Sequence, residues 1–157
     1  MVVTPFTAVG AASAVLAVSK AAWKLGSSLS KLDQDTKIVD TTVKNLAGEV
    51  KSLGNECDLV YAELEEVVSK SETGSPPPYD VGGRMWNCLA TQVEETSRTM
   101  QELELFVKSV RGEESSFIGQ AQRQRKLDKS KDQIASIRTK VCRHTDNLRT
   151  TLLLINT

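Results

Sequence analysis

The sequence predicts an all-α protein, a four-helix bundle of long antiparallel helices that occupies residues 1–157 as one domain. Three observations carry the prediction. Apolar residues recur at alternating spacings of three and four, the helical rather than the strand period. Helix breakers gather between these runs, at Gly74 with Pro76-Pro77-Pro78, at Gly82-Gly83 and at Gly112. The composition, 39% hydrophobic and 25% charged over 157 residues, suits a chain that buries a core without disulfides or metals.

The first helix is expected over 5–31. From Phe6 to Ser19 it is small and apolar all round, with little contrast between faces, which predicts a centrally buried helix. Small residues recur every fourth position at Gly10, Ala14, Ala22 and Gly26, with the larger Val18 in the same row. A second row runs Ser13, Ala17, Ala21. That spacing lets helix backbones approach closely. No basic residues precede the apolar run, so it does not read as a secretory signal. Thr4, Pro5, Thr7, Gly10, Ser13 and Ser19 dilute it, and Lys20 closes it short of the ~20 residues a membrane span needs.

The second helix is expected over 35–70. Val39, Val43, Leu46, Val50, Leu53, Cys57, Val60, Leu64 and Val67 form one apolar stripe, with Asp33 or Asp35 as its N-cap. The third, over 81–111, repeats the pattern with Trp86, Leu89, Val93, Thr96, Met100, Leu103, Val107 and Val110. Asp80 is its cap candidate and Gly112 its stop. The fourth, over 120–155, places Leu127, Ile134, Val141, Leu148 and Ile155 at seven-residue spacing. Ile137 and His144 lie between them, and Ser130 and Thr151 interrupt. Residues 115–122 read as a loop or frayed turn.

A net charge of zero conceals segregation. Residues 1–32 carry three Lys and no acid, residues 33–114 a net −9, and residues 115–157 a net +6. The first expectation is attraction within the molecule, between complementary helix faces.

The residues offer little to catalysis. His144, the single histidine, falls on an apolar stripe and reads as a core histidine bonded to a neighbour. Cys57, Cys88 and Cys142 are odd in number and lack CxxC spacing. They predict reduced, packed thiols in a cytosolic protein rather than a disulfide frame or zinc site. No phosphate-cradling glycine loop and no HExxH occurs. The adjacent pairs Glu65-Glu66, Glu94-Glu95 and Glu113-Glu114 point about 100° apart on a helix and form no facing dyad. The expectation is no enzyme and no cofactor. The basic cluster Arg123, Arg125, Lys126, Lys129 and Lys131 lacks interleaved aromatics, so nucleic acid is not expected. Its favoured reading is pairing with the acidic middle, and its functional reading is an anionic-lipid patch. Pro76-Pro77-Pro78-Tyr79 has the PPxY form that WW domains bind, and serves equally as a stiff connector.

Several runs together resemble a known family. They are the opening AVGAASAVLAV at 8–18 with Ala22-Trp23-Lys24, Pro77-Pro78-Tyr79-Asp80 leading to Trp86-Asn87-Cys88-Leu89, Met100-Gln101-Glu102-Leu103, and the closing NLRTTLLLIN at 147–156. In order and spacing they resemble the HeLo-like group, the fungal N-terminal domain of STAND (NLR-like) proteins, over nearly the whole chain. The resemblance implies a signalling and effector domain of heterokaryon-incompatibility-type cell death. In that scheme the N-terminal helix is released, copies of the domain self-associate, and the plasma membrane is targeted from a cytoplasmic resting state. The partners it implies are further copies, membrane lipids and an NLR-like receptor domain. The positions that match are Gly10, Ala14 and Ala22, flanked by Val9, Val15, Leu16 and Val18. The chain departs from the family in having no nucleotide-binding domain and no Asn/Gly-rich amyloid-like motif after Ile155, which leaves its trigger elsewhere. The rival expectation is a regulatory bundle that binds protein and never lipid.

Overall fold

The computed structural model describes residues 8–35, 41–72, 84–111, 125 and 128–156, and nearly all of them are helical. Four helices follow one another: α1 (Ala8–Asp35), α2 (Thr41–Glu72), α3 (Arg84–Arg111) and α4 (Lys131–Asn156). The 32 residues of α2 make a rod about 48 Å long at 1.5 Å per residue.

The apolar stripes become the core. Val43, Leu46, Val50, Leu53, Cys57, Val60 and Leu64 of α2 are all buried. So are Leu89, Val93, Thr96, Met100, Leu103, Val107 and Val110 of α3, joined by Phe106, and Ile134, Ile137, Val141 and Leu148 of α4. The side chains of Trp86, Leu127 and Ile155, and the whole PPxY run, lie outside the described residues.

Each helix packs mainly on two others. α1 packs on α2 and α3, and α4 packs on α2 and α3, so the order around the bundle is α1–α2–α4–α3. Cross-helix bonds fix the directions. Ser19 meets Asp58 and Ser30 meets Lys51, so α1 and α2 are antiparallel. Thr99 meets His144 and Gln92 meets Thr151, so α3 and α4 are antiparallel. Glu49 meets Arg138 and Glu56 meets Arg149, so α2 and α4 run parallel. Consecutive helices therefore alternate in direction, yet α2 and α3 face each other across a diagonal.

Charge segregation resolves into cross-helix pairs. Both carboxylate oxygens of Glu49 accept from Arg138 Nε at 2.8 and 2.9 Å. Glu56 accepts from Arg149 Nε at 2.9 Å, and Glu102 from Lys140 at 3.0 Å. Acidic α2 and α3 are thus tied to basic α4, the internal attraction that the sequence pointed to.

Four expectations need correction. α1 is not central: it holds a corner of the bundle, with Ser13, Ala17, Lys20, Lys24, Ser27 and Lys31 exposed along its outer face. Its small residues hid the amphipathic pattern, because alanine contributes little contrast on either face. Asp33 and Asp35 do not cap α2, since α1 continues through Asp35. α4 is not continuous from 120, because Ser130 forms a turn and the helix starts at Lys131. The Ser130 carbonyl accepts the Ile134 N–H at 2.8 Å, which makes Ser130 the N-cap, and Ser130-Lys131-Asp132-Gln133 has capping-box form. Finally, Cys57 is buried and packed, but Cys88 and Cys142 are exposed.

Candidate functional site: the first helix and its two seams

α1 meets α2 through close backbone approach. A β-carbon at Gly26 would fall 2.7 Å from Lys51 Cγ and 3.6 Å from the Ala47 carbonyl. One at Gly54 would fall 3.0 Å from the Trp23 indole nitrogen, so the ring lies directly on the α2 backbone. Glycine inside a helix costs roughly 1 kcal/mol against alanine. Here it is what lets the two helices meet.

One carboxylate fastens this seam. Asp58 Oδ1 accepts the Ser19 hydroxyl in a short hydrogen bond, and Asp58 Oδ2 accepts the Trp23 indole N–H at 3.0 Å. Ser19 and Trp23 are four residues apart, one turn on the same side of α1. The Ser19 hydroxyl is buried and also lies 3.5 Å from the Gly54 carbonyl. Further along, Lys51 donates to Ser30 at 2.8 Å.

The seam between α1 and α3 is different. It opens into a groove of about 660 Å³ walled by Ala14, Ala17 and Ala21 on one side and Ala90 and Ser97 on the other, with Val93 and Met100 below. The polar side chains of α1 at Ser19, Trp23 and Ser30 all bond α2, and the α2–α4 and α3–α4 seams carry two or more cross-helix bonds each. The small-residue row that the sequence marks for close packing thus faces an unfilled cleft at Ala14, Ala17 and Ala21.

Of the helix-one positions, Val15, Val18 and Ala22 are buried in the core, and Gly10, Ala14 and Leu16 are half-buried. The Val9 side chain lies outside the described residues. In the basic cluster, Arg125, Lys129 and Lys131 are exposed, with Lys131 4.0 Å from Asp128. Arg123 and Lys126 lie outside the described residues.

Comparison with protein-family models, with curated proteins and with solved structures finds no match. The site is therefore read from its own geometry.

Two further reactive groups, Cys57 and His144, lie buried in the core. Burial, aided by the charges of Asp58 and Glu56, pushes the Cys57 thiol up to about 12, so it stays protonated and inert. The Thr99 hydroxyl lies 3.1 Å from the Glu95 carbonyl and 2.8 Å from His144 Nε2, so the buried imidazole is hydrogen-bonded across the α3–α4 seam. Burial, with help from Arg143 and Lys140 and against Glu95, holds His144 below its ordinary value. The unfolded chain takes up a proton near pH 6.5 while the folded one does not. The stability contributed by neutral His144 is complete above that pH, and is lost as pH falls through 6.5 towards the lower folded value. Urea midpoints between pH 7.5 and pH 5 should fall more steeply for the wild type than for His144→Gln, which removes the titrating group.

Sequence reading missed Asp58 and its two partners. Trp23 was the available signal, because a lone tryptophan at the edge of an alanine-rich helix needs both a surface to lie on and an acceptor for its N–H.

Proposed function

We propose that this bundle is a signalling and effector domain of fungal programmed cell death. α1 leaves the bundle, copies of the domain associate, and the freed helix acts on the plasma membrane, starting from the cytoplasm. The observation that carries this reading is the unequal attachment of α1, latched to α2 through Asp58 and only loosely closed against α3.

Release exposes Val15, Val18, Ala22 and Leu25, whose burial stabilises the closed form by about 25 cal/mol per Å² of apolar area. The helix needs a second place to bury them. No helix among the described residues is long and apolar enough to cross a membrane. The freed helix therefore lies in the interface or packs against sister helices through its small-residue rows. The same finding favours a rival, a regulatory bundle that docks on a receptor body without lipid.

Leakage of dye from vesicles separates the two. Leu16→Glu and Gly10→Glu place a charge on the freed helix and should abolish leakage. Asp58→Ala strips the latch and leaves the buried Ser19 hydroxyl without its best acceptor. It should cost about 1–2 kcal/mol of stability and increase leakage several-fold. Leakage that ignores both charge insertions removes the release mechanism. Domain that never sediments with vesicles under any condition establishes the rival.

A further inference from the structure

The cations of this bundle are used in two ways. Arg138, Lys140 and Arg149 of α4 reach across to Glu49, Glu102 and Glu56, and Arg98 and Lys108 of α3 pair with Glu94 and Glu104 one turn away. Lys20, Lys24, Lys31 and Lys44 do neither, and the same holds for Arg125, Lys129 and Arg143 elsewhere. The first four are exposed, and no acid whose side chain is described lies within ion-pair distance of them.

They also share a face. Lys20, Lys24 and Lys31 follow at intervals of four and seven residues along the ridge of α1 that points away from the core. The ridge from Lys20 to Lys31 is about 16 Å long. Lys51 touches Gly26 and bonds Ser30, which sets it beside the gap between Lys24 and Lys31. Lys44 lies two turns before Lys51 on the same side of α2, alongside the last turns of α1. Ser13, Ser27, Ser52 and Asn55 are exposed among or beside them, and Trp23, 39% exposed, lies at the junction of the two helices. Glu49, the one acid in 42–55, faces α4 and is bound by Arg138, and Asp58, the exposed acid beside Trp23, is occupied by Ser19 and the Trp23 indole. Asp33 and Asp35 lie in the last turn of α1, at the Lys31 and Lys44 end of the face.

We infer that this five-lysine face of α1 and α2 is the surface by which the closed bundle docks on an anionic membrane. The choice of a membrane as partner rests on the function proposed above, but docking requires no helix release. The chemistry fits a sheet of headgroups. The cations are all lysines, point charges on flexible stems, rather than arginines whose planar fork grips one phosphate. They are spread along a ridge rather than gathered in a pocket. Each lysine near an anionic surface contributes about 1 kcal/mol, and a half-exposed tryptophan suits the headgroup layer. By contrast, Arg125, Lys129 and Lys131 are interspersed with Asp128 and Asp132.

Co-sedimentation with phosphatidylcholine vesicles, with and without phosphatidylserine, tests the face in the full chain. The wild type should bind only the anionic vesicles and should lose binding between ~0.1 and ~0.5 M salt as charges are screened. Lys20, Lys24, Lys31 and Lys44 changed together to Gln should lower partitioning on the order of a thousandfold. The same four changed to Arg should retain it, and Arg125, Lys129 and Lys131 changed to Gln should lower it less than the four-lysine change. Circular dichroism of the Gln variant confirms that these exposed sites leave the fold intact. Three results overturn the inference: unchanged partitioning of the four-Gln variant, equal binding to neutral vesicles, or preference for a soluble acidic peptide over anionic vesicles. Wild-type protein that binds anionic vesicles yet releases no dye counts against helix release instead, so the two failures are told apart.

Discussion

Leu29→Ala is expected to destabilise the bundle by about 3 kcal/mol, the middle of the range for emptying a fully buried leucine site. Leu29 has no exposed surface and belongs to the cluster that joins α1 to the core. With a urea dependence of about 2 kcal/mol/M, the midpoint should fall by about 1.5 M at constant slope. Ala21→Leu is the matching control. It adds bulk where α1 borders the open groove, so it should leave the stability within the ~0.5 kcal/mol typical of tolerant sites. A comparable loss in both variants would mean that the α1–α3 seam is as tightly packed as the α1–α2 seam.

Arg149→Ala is expected to cost about 2 kcal/mol. The Glu56 side chain is only 7% exposed, while Arg149 is 60% exposed. Deleting the arginine leaves a carboxylate inside the α2–α4 seam without its counter-charge, the arrangement that makes half-pairs costly. The estimate sits below the usual 3–5 kcal/mol for a broken buried pair because water can enter the space that the exposed guanidinium vacates. Adding Glu56→Gln should return most of the loss. If the double variant is as unstable as Arg149→Ala alone, the arginine contributes by packing its aliphatic stem rather than by its charge.

Helix count and core were legible because burial follows period. Val43 to Leu64 fall on the stripe at spacings that only one helix face satisfies, and each is buried. The polar interruptions were harder to read. Thr96, Thr99 and Thr151 lie inside, where their hydroxyls return to carbonyls four residues back and, at Thr99 and Thr151, also meet His144 and Gln92. A linear pattern marks such residues as polar without showing that a partner waits across a seam. The reading of α1 as central failed for the opposite reason. Alanine fits a core and a surface alike, so AVGAASAVLAV does not disclose which side faces water. The latch at Asp58 and the lysine face needed the register of α1 on α2, which no local spacing contains. Block sums of charge were more informative: the +6 of the C-terminal segment anticipated the arginine and lysine contacts of α4.

The circular order of the helices bears on how the chain assembles. α1 with α2, and α3 with α4, are hairpins whose partners are neighbours along the chain, so each gains its contacts after a short search. Mating the halves is another matter, because Glu49 must find Arg138 and Glu56 must find Arg149 at sequence separations of 89 and 93. Closing loops of that length is the entropically demanding event. Early amide protection within each hairpin, followed by a later cooperative phase across α2 and α4, is the kinetic signature that this topology dictates.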